Sequence, residues 1–256
     1  MGKNFNFFSV AFLVLLIFNC GKNGRKNDDS FILIKRGSYE INSLNGYNIY
    51  TKDKKIMDGY YVVGNELSKW EEFEVNNGIL NGDYIIFHAN GEIFSHTIYK
   101  NGKKNGEEKM YYPSGKLKSV STYSNDILYG TSKTYFESGQ LQSLSKIENG
   151  KPLTSETYDI IGNIVSQTFV KDGRTISQHI NNGKVVFENI SSNYDNFEAV
   201  RFFNDDGSLK IYLRMLTEGD NAYIIELDEN ENEIKRINVK ANPQKVLEYQ
   251  KYFMSM

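Results

Sequence analysis

The stretch "NGKKNGEEKMYYPSGKLKSVSTY", residues 101–123, holds three glycines, one proline and two short runs of bulky residues. Its pattern recurs. Aligned on the glycine of "PSG", turn glycines stand at Gly91, Gly115, Gly139, Gly162, Gly183 and Gly207, 21 to 24 residues apart. A period of this size marks a repeat architecture. A second set, Gly78, Gly102, Gly150 and Gly173, sits in "NG" or "DG" pairs that link one unit to the next, and Gly82, Gly106 and Gly130 recur upstream of each "PSG" position.

Within a unit the residues sort by parity, as they do on a strand whose side chains alternate between faces. Four residues before the turn glycine stand Phe87, Tyr111, Tyr135, Tyr158, His179 and Phe203; two after it stand Ile93, Leu117, Leu141, Ile164, Val185 and Leu209. If the turn is the glycine and the two residues before it, these positions face each other across a hairpin. An aromatic then meets an aliphatic, a pair that contributes about 0.2–1 kcal/mol. Continuing by twos gives Ser95, Ser119, Ser143 and Ser166, then Thr97, Ser121, Ser145 and Thr168, then Tyr99, Tyr123, Ile147 and Val170. Parity therefore predicts one face that carries both the aromatic stripe and a hydroxyl stripe. Such a face is either stacked on its copies or an exposed platform for carbohydrate, peptide or lipid. Phe87, Tyr111, Tyr135, Tyr158, Tyr99 and Tyr123 are the candidate contact residues, since tyrosine suits contact surfaces.

Each unit reads as a strand (Glu107 to Tyr112), a tight turn (Pro113 to Gly115), a return strand (Lys116 to Tyr123) and an "NG" connection. The expected fold is all-β: an elongated meander of antiparallel β-hairpin repeats over 31–240, clearest over 76–170, with a period of about 23–24 residues. Composition agrees, because 18 Tyr, 16 Phe and 21 Gly against 3 Pro favour short strands joined by glycine turns. Before the clear repeats, "FILIKRGSYEINSLNGYNIY" and "GYYVVGNELSKWEEFEV" look like imperfect hairpins; after them, "NAYIIELDENENEIKRINV" looks like another. In "NPQKVLEYQKYFMSM" Asn242 is a helix N-cap and Pro243 the first helical residue. Val246, Tyr249 and Phe253 recur at helical spacing, so a short amphipathic helix at 241–256 is expected to cover the last strand edge.

These units resemble the variant MORN repeat, written as NGK, a gap, G, an aromatic-rich strand, NG and a second strand ending in Tyr. "NNGILNGDYIIFHANGEIFSHTIY" matches nearly as well as the opening stretch. Two departures stand out: the Trp common two residues after the second Gly is Tyr84, Glu108 and Ser132 here, and Asn125–Asp126 replaces an "NG" link. The large single-layer sheet expected from such units exposes two faces, which implies a protein-interaction or scaffold module. Some proteins with these repeats carry the label YwqK-family antitoxin, which by resemblance alone implies an inhibitor with a cognate toxin.

The N-terminus has Lys3, an apolar run from Phe7 to Phe18, and Cys20, the one cysteine of the chain. The run is too short to span a bilayer and matches a signal-peptide core. Cys20 with Ile17 three residues before it resembles the lipobox of bacterial lipoproteins, in which the cysteine becomes the acylated first residue. The expected organisation is a signal peptide at 1–19, a flexible polar tether at 20–30, the repeat domain, and the terminal helix. That places the protein at the bacterial cell envelope, held to the membrane by lipid on Cys20, with an unidentified protein partner. A toxin or a carbohydrate or lipid ligand is the alternative.

The remaining chemistry is sparse. A single cysteine excludes an internal disulfide. Three histidines, His88, His96 and His179, are too scattered to imply a metal site. Neither "DNFEAVRFFNDDGS" nor "LDENENE" has the spacing of a calcium loop, and no nucleophile–base motif or phosphate loop occurs. A formal charge of −2 offers no general attraction for nucleic acid. The expectation is a non-enzymatic protein without cofactor or metal.

Overall fold

The computed structural model describes residues 31–65 and 67–253. The leader, Cys20 and the tether expected at 1–30 lie outside the described residues. The chain opens with β1 (Ile32–Ile34) and a small three-stranded antiparallel sheet of β2 (Glu40–Leu44), β3 (Tyr47–Lys52) and β4 (Lys55–Ile56). Next come β5 (Gly59–Gly64), β6 (Lys69–Asn76), β7 (Ile79–Phe87), β8 (Ile93–Lys100), β9 (Lys103–Tyr111), β10 (Leu117–Ser124), β11 (Ile127–Tyr135) and β12 (Leu141–Glu148). The series continues with β13 (Lys151–Tyr158), β14 (Ile164–Lys171), β15 (Arg174–Asn181), β16 (Lys184–Ser192), β17 (Glu198–Phe203), β18 (Leu209–Glu218), β19 (Asn221–Leu227) and β20 (Glu233–Asn238). One helix, α1 (Pro243–Phe253), follows.

From β5 to β20 each strand pairs antiparallel with the next, and β1 adds parallel to β5 with Ile32 opposite Tyr61. The result is one long meander within a 17-stranded sheet. The N-terminal expectation fails in part: "FILI" and the segment after it are not hairpins of the meander. A parallel neighbour cannot be reached through a two-residue turn, and β2–β4 occupy the crossover between β1 and β5.

Two turn chemistries punctuate the meander. At the "PSG" position, Gly115 N–H donates to Tyr112 O at 2.8 Å and Tyr112 N–H to Lys116 O at 2.8 Å. Only Gly115 of this turn is left-handed, with φ 78°. This is a type I turn closed by a bulged glycine. The same bonds recur at Gly91, Gly139, Gly162 and Gly207. They set Phe87 opposite Ile93, Tyr111 opposite Leu117, Tyr135 opposite Leu141, Tyr158 opposite Ile164 and Phe203 opposite Leu209, as the spacing predicts. Gly183 breaks the rule. Asn182 and Gly183 are both left-handed (φ 50° and 74°), a two-residue type I′ loop. Val185 therefore pairs with Ile180, and His179 with Phe187.

The links between units are of the second kind, with paired left-handed residues at Asn77–Gly78, Asn101–Gly102, Asn149–Gly150 and Asp172–Gly173. In the Asn125–Asp126 link, Asp126 takes the glycine's conformation (φ 69°), and its carboxylate accepts the Lys104 N–H at 2.7 Å.

A separate bulge in each of these hairpins, at Phe94, Lys118, Gln142 and Val165, inserts a residue into the return strand, and that overturns the single-stripe expectation. In β7–β8, Ile86 faces Ser95 and Tyr84 faces Thr97; in β9–β10, Met110 faces Ser119 and Glu108 faces Ser121. Phe87, Tyr111, Tyr135 and Tyr158 are one residue out of step with these and lie on the opposite face of the sheet. The extra residue changes parity between the two strands of a hairpin. One face, the hydroxyl face, keeps the Ser/Thr stripe with Tyr99 and Tyr123; the other, the turn-aromatic face, carries Phe87, Tyr111, Tyr135 and Tyr158.

Apolar cores form at the two ends. At the N-terminal end β2–β4 lie over the hydroxyl face, burying Tyr50 and Met57 against Val63, Phe73, Val75 and Leu80. Backbone bonds tie the layers, Gly78 N–H to Met57 O and Tyr50 N–H to Gly78 O, both at 2.7 Å. At the C-terminal end α1 lies on the hydroxyl face, with Tyr249 packed on Val200, Phe202, Leu213, Ile224 and Ile237. The helix thus covers a face of the sheet and not its edge, as had been expected. Its apolar residues match the wide stripe of β17–β20, whereas the β20 edge has Glu233, Lys235 and Arg236 exposed, charges that discourage further strand addition. On the turn-aromatic face, Phe197 from the β16–β17 loop closes over Ile190, Tyr212, Ile225 and Leu227.

Candidate interaction surface

Between the two ends the sheet is a single bare layer. No side chain from Ile98 to Phe187 is buried. Seven strands, β9 to β15, lie wholly within this region, about 29 Å across at the usual strand spacing. Ile127, Leu153 and Val170 are exposed within it.

On the hydroxyl face the small side chains hold one another across strands: Ser121 to Ser132 at 2.8 Å, Thr134 to Ser143 at 2.7 Å and Thr168 to Ser177 at 3.0 Å. These pairs satisfy hydroxyls without a second layer. At the link end, Tyr84 and Tyr99 have ring centroids 6.0 Å apart, and the Lys104 ammonium sits 4.9 Å over the Tyr123 ring. Lys104 also bonds Glu108, which accepts from Thr97 Oγ1 at 3.3 Å. Burial raises the Tyr99 phenol; burial and then the Glu108 charge raise that of Tyr123. Burial alone would lower the Lys104 pKa, but its bond and attraction to Glu108 outweigh that and raise it.

The turn-aromatic face has different company. The Lys69 ammonium lies 4.4 Å from the Phe87 ring, and the Tyr158 hydroxyl donates to Glu156, a bond that raises the phenol. Along the turns runs a ladder that the sequence reading missed. His88 Nε2 is 3.0 Å from Tyr111 O, Tyr112 Oη donates to Tyr135 O at 2.7 Å, Asn90 Nδ2 to Pro113 O at 2.7 Å, and Ser114 Oγ to Glu137 at 2.7 Å. Each bond spans 23 residues, one repeat. The signal was present as polar side chains within the turns, at His88, Asn90, Tyr112 and Ser114.

The six candidate contact residues are therefore not one patch: Tyr99 and Tyr123 share the hydroxyl face, and Phe87, Tyr111, Tyr135 and Tyr158 share the other. Each histidine has its own partner: His88 the Tyr111 carbonyl, His96 the Asp83 carboxylate at 2.7 Å, and His179 the Phe187 ring at 5.0 Å. Among the described residues no three His, Cys, Asp or Glu side chains converge as a metal site would require. A dense cluster of titratable groups lies beneath β2–β4. There Tyr39 and Tyr84 donate to Glu71 at 2.9 and 2.7 Å, and burial pushes the neighbouring Tyr50 phenol up to about 12. That cluster closes around the Phe73 ring and belongs to the core.

The fold and its bare middle define a repeat protein built from hairpins. Three consecutive segments, 80–101, 104–125 and 128–149, match the MORN repeat variant, each beginning in one strand, passing the bulged-glycine turn and ending at the link. No curated protein matches the chain. Among solved structures, the accessory secretory protein 1, 2 and 3 structure from Streptococcus pneumoniae is similar at 16% identity and a TM-score of 0.25 over 38% of this chain. The match spans 19% of that chain's length. A protein from Lactobacillus plantarum (12% identity, TM-score 0.21) and a putative 6-phosphogluconolactonase from Bacteroides fragilis (12%, 0.20) each cover 80% of this chain and 83% of their own. None of these scores corresponds to a shared overall fold.

Proposed function

We propose that this chain is a non-enzymatic interaction module, a strip of single-layer sheet held at both ends by small cores and offering its middle to another macromolecule. The observation behind the reading is the run from Ile98 to Phe187 without a buried side chain. Sheet of this kind is stabilised by neighbouring repeats and leaves two faces for contact. We further propose that Cys20, behind the apolar run Phe7 to Phe18, is acylated and holds the module at a bacterial cell envelope.

Photo-crosslinking tests the binding reading. A crosslinker at Ser145 on the hydroxyl face or Gln167 on the other is expected to capture a discrete macromolecule in cells, and one at Leu213, under α1, is expected to capture none. Equal capture at all three, or none at the first two, would sink the reading. Anchoring is tested by intact mass and membrane partitioning against Cys20→Ser. A mature chain that begins at acylated Cys20 supports it; an unmodified full-length chain removes it.

A further inference from the structure

One tight turn departs from the others. Five such turns place Gly91, Gly115, Gly139, Gly162 and Gly207 in the left-handed region, and the β19–β20 turn places Glu231 there, at φ 67°. Its backbone bonds are those of its sister turns: Glu231 N–H to Asp228 O at 3.0 Å and Asp228 N–H to Asn232 O at 2.9 Å. The conformation is unfavourable for a residue with a Cβ, so the side chain needs a compensating partner.

That partner is four strands away on the turn-aromatic face. Both terminal nitrogens of Arg174 on β15 bond the Glu231 carboxylate, Nη2 to Oε2 at 2.8 Å. Tyr212 Oη donates to the same carboxylate at 3.1 Å, and Arg201 Nη2 stands 3.7 Å from it. Strands β15 and β19 would lie about 19 Å apart in a flat sheet; the meeting of the Arg174 and Glu231 side chains across that span indicates that the sheet curls here with this face concave. A third arginine stands nearby. Arg174 and Arg214 lie 4.2 and 4.8 Å from the Phe197 ring, Arg201 lies 4.3 Å from that of Tyr212, and Arg214 Nε is buried without a hydrogen-bond partner.

Arg174, Arg201 and Glu231 line a pocket of about 330 Å³ together with Lys171, Asp172, Ile176 and Ile190. With Glu231 withdrawn, its lining would hold three cations and one carboxylate over an aliphatic floor. A planar guanidinium fork suits a carboxylate bound through both oxygens. We propose that this concavity is a binding site for an acidic side chain of a partner peptide, flanked by apolar residues, and that Glu231 is a built-in occupant displaced when the peptide binds. This proposal does not depend on the bare middle of the sheet.

The test uses the full chain and a blocked Leu-Glu-Leu tripeptide, titrated by calorimetry, with Leu-Gln-Leu and inorganic phosphate as comparators. Glu231→Gly removes the occupant and gives the turn its sister residue. It is expected to bind Leu-Glu-Leu at least tenfold tighter than the unaltered chain, and Arg174→Ala in that background is expected to abolish binding. Glu231→Gln serves as a second variant if the glycine loosens the hairpin, which hydrogen exchange in β19 and β20 would reveal. Absence of binding in both variants, or equal binding of Leu-Gln-Leu, overturns the proposal. Phosphate binding without tripeptide binding overturns the peptide assignment as well.

Discussion

Phe73 is the residue whose loss most directly probes how this sheet holds together. It is fully buried on β6, and the rings of Tyr39, Tyr50, Tyr61 and Tyr84 stand 5.3, 5.2, 5.7 and 5.9 Å from it. Replacing a buried phenylalanine by alanine costs about 3–5 kcal/mol, transfer and cavity together. The four surrounding tyrosines are large, and Tyr39, Tyr61 and Tyr84 are tied by hydrogen bonds, so the cavity collapses little and the middle of that range applies. In a linear repeat array such a loss stays local, since each unit contacts chiefly its neighbours. Nine strands, β7 to β15, separate Phe73 from the C-terminal core, and most of them contribute no buried side chain that could transmit the loss. At about 1.4 kcal/mol per tenfold, amide protection in β5–β7 is expected to fall about a thousandfold in Phe73→Ala. Protection in β18, β19 and α1 is expected to change by less than about tenfold. Hydrogen exchange read by mass spectrometry resolves the two regions, and Leu213→Ala should give the mirror image. An equal fall at both ends in either variant would falsify the reasoning, because it would mean that the sheet opens as one cooperative unit.

Gly106 has φ 132°, and a Cβ there would lie 3.1 Å from the Ile98 side chain, so Gly106→Ala should cost about 1–3 kcal/mol. Gly139→Ala, at φ 98° with open space around it, should cost about 1 kcal/mol; urea midpoints in the reverse order would contradict the bulge assignment. Alkali should act on the N-terminal end. Burial raises Tyr50 from 10.0 to about 12, and burial with the Glu71 charge raises Tyr39 and Tyr84 further, so the stabilisation is complete below pH 10 and lost as pH rises through about 12. Ionisation of Tyr50 itself, followed by its ring NMR signals, that is complete before β2–β4 lose any exchange protection would refute this. Acid should act at the other end: the bond from Arg174 holds the Glu231 carboxyl below its ordinary 4.5, so the clamp persists above that value and is lost as pH falls through the depressed one. Amide shifts of the β19–β20 turn followed by NMR check it, and a turn insensitive to acid throughout the range below 4.5 in which the chain stays folded would count against the clamp. Tyr249→Ala removes a buried ring and a hydroxyl that accepts from Lys235 at 2.9 Å and donates to Glu226 at 3.0 Å, and should release α1 and cost about 3–5 kcal/mol. Tyr249→Phe should cost about 1 kcal/mol, and equal effects of the two in thermal melts would deny the helix its packing role.

The meander was legible because left-handed turn positions leave few choices of residue. Asn–Gly links and bulged-turn glycines recur at the period of the fold and mark where strands must reverse. Assignment of faces was not legible. A bulge adds one residue without any residue type that announces it, so strict alternation carried Tyr111 and Ser119 onto one face where the register sets them on two. The interval of 21 residues between Gly162 and Gly183 was the visible trace of a change in turn type, and Asn182 beside Gly183 was its cause. At the N-terminus, "FILI" is a short unbroken apolar run, and four such residues do not by themselves select β5 as a parallel neighbour. Helix α1 was legible from Pro243, but the breadth of apolar sheet beneath it emerges only when β17 to β20 are assembled. The clamp of Arg174 on Glu231 joins residues 57 apart in sequence and needs the curl of the sheet to exist.

The separation of two closed ends by a middle that has no core of its own bears on how such a chain can change over generations. An insertion within a compact globule must be accommodated by the core around it. Here a duplicated hairpin placed between β9 and β14 would meet only copies of its former neighbours, through the same links and the same turn-to-turn bonds. Each duplication would widen the strip by about 10 Å and leave both termini as they were. The length of the protein is thereby a variable that gene duplication can adjust in fixed steps, like a ruler graduated in repeats.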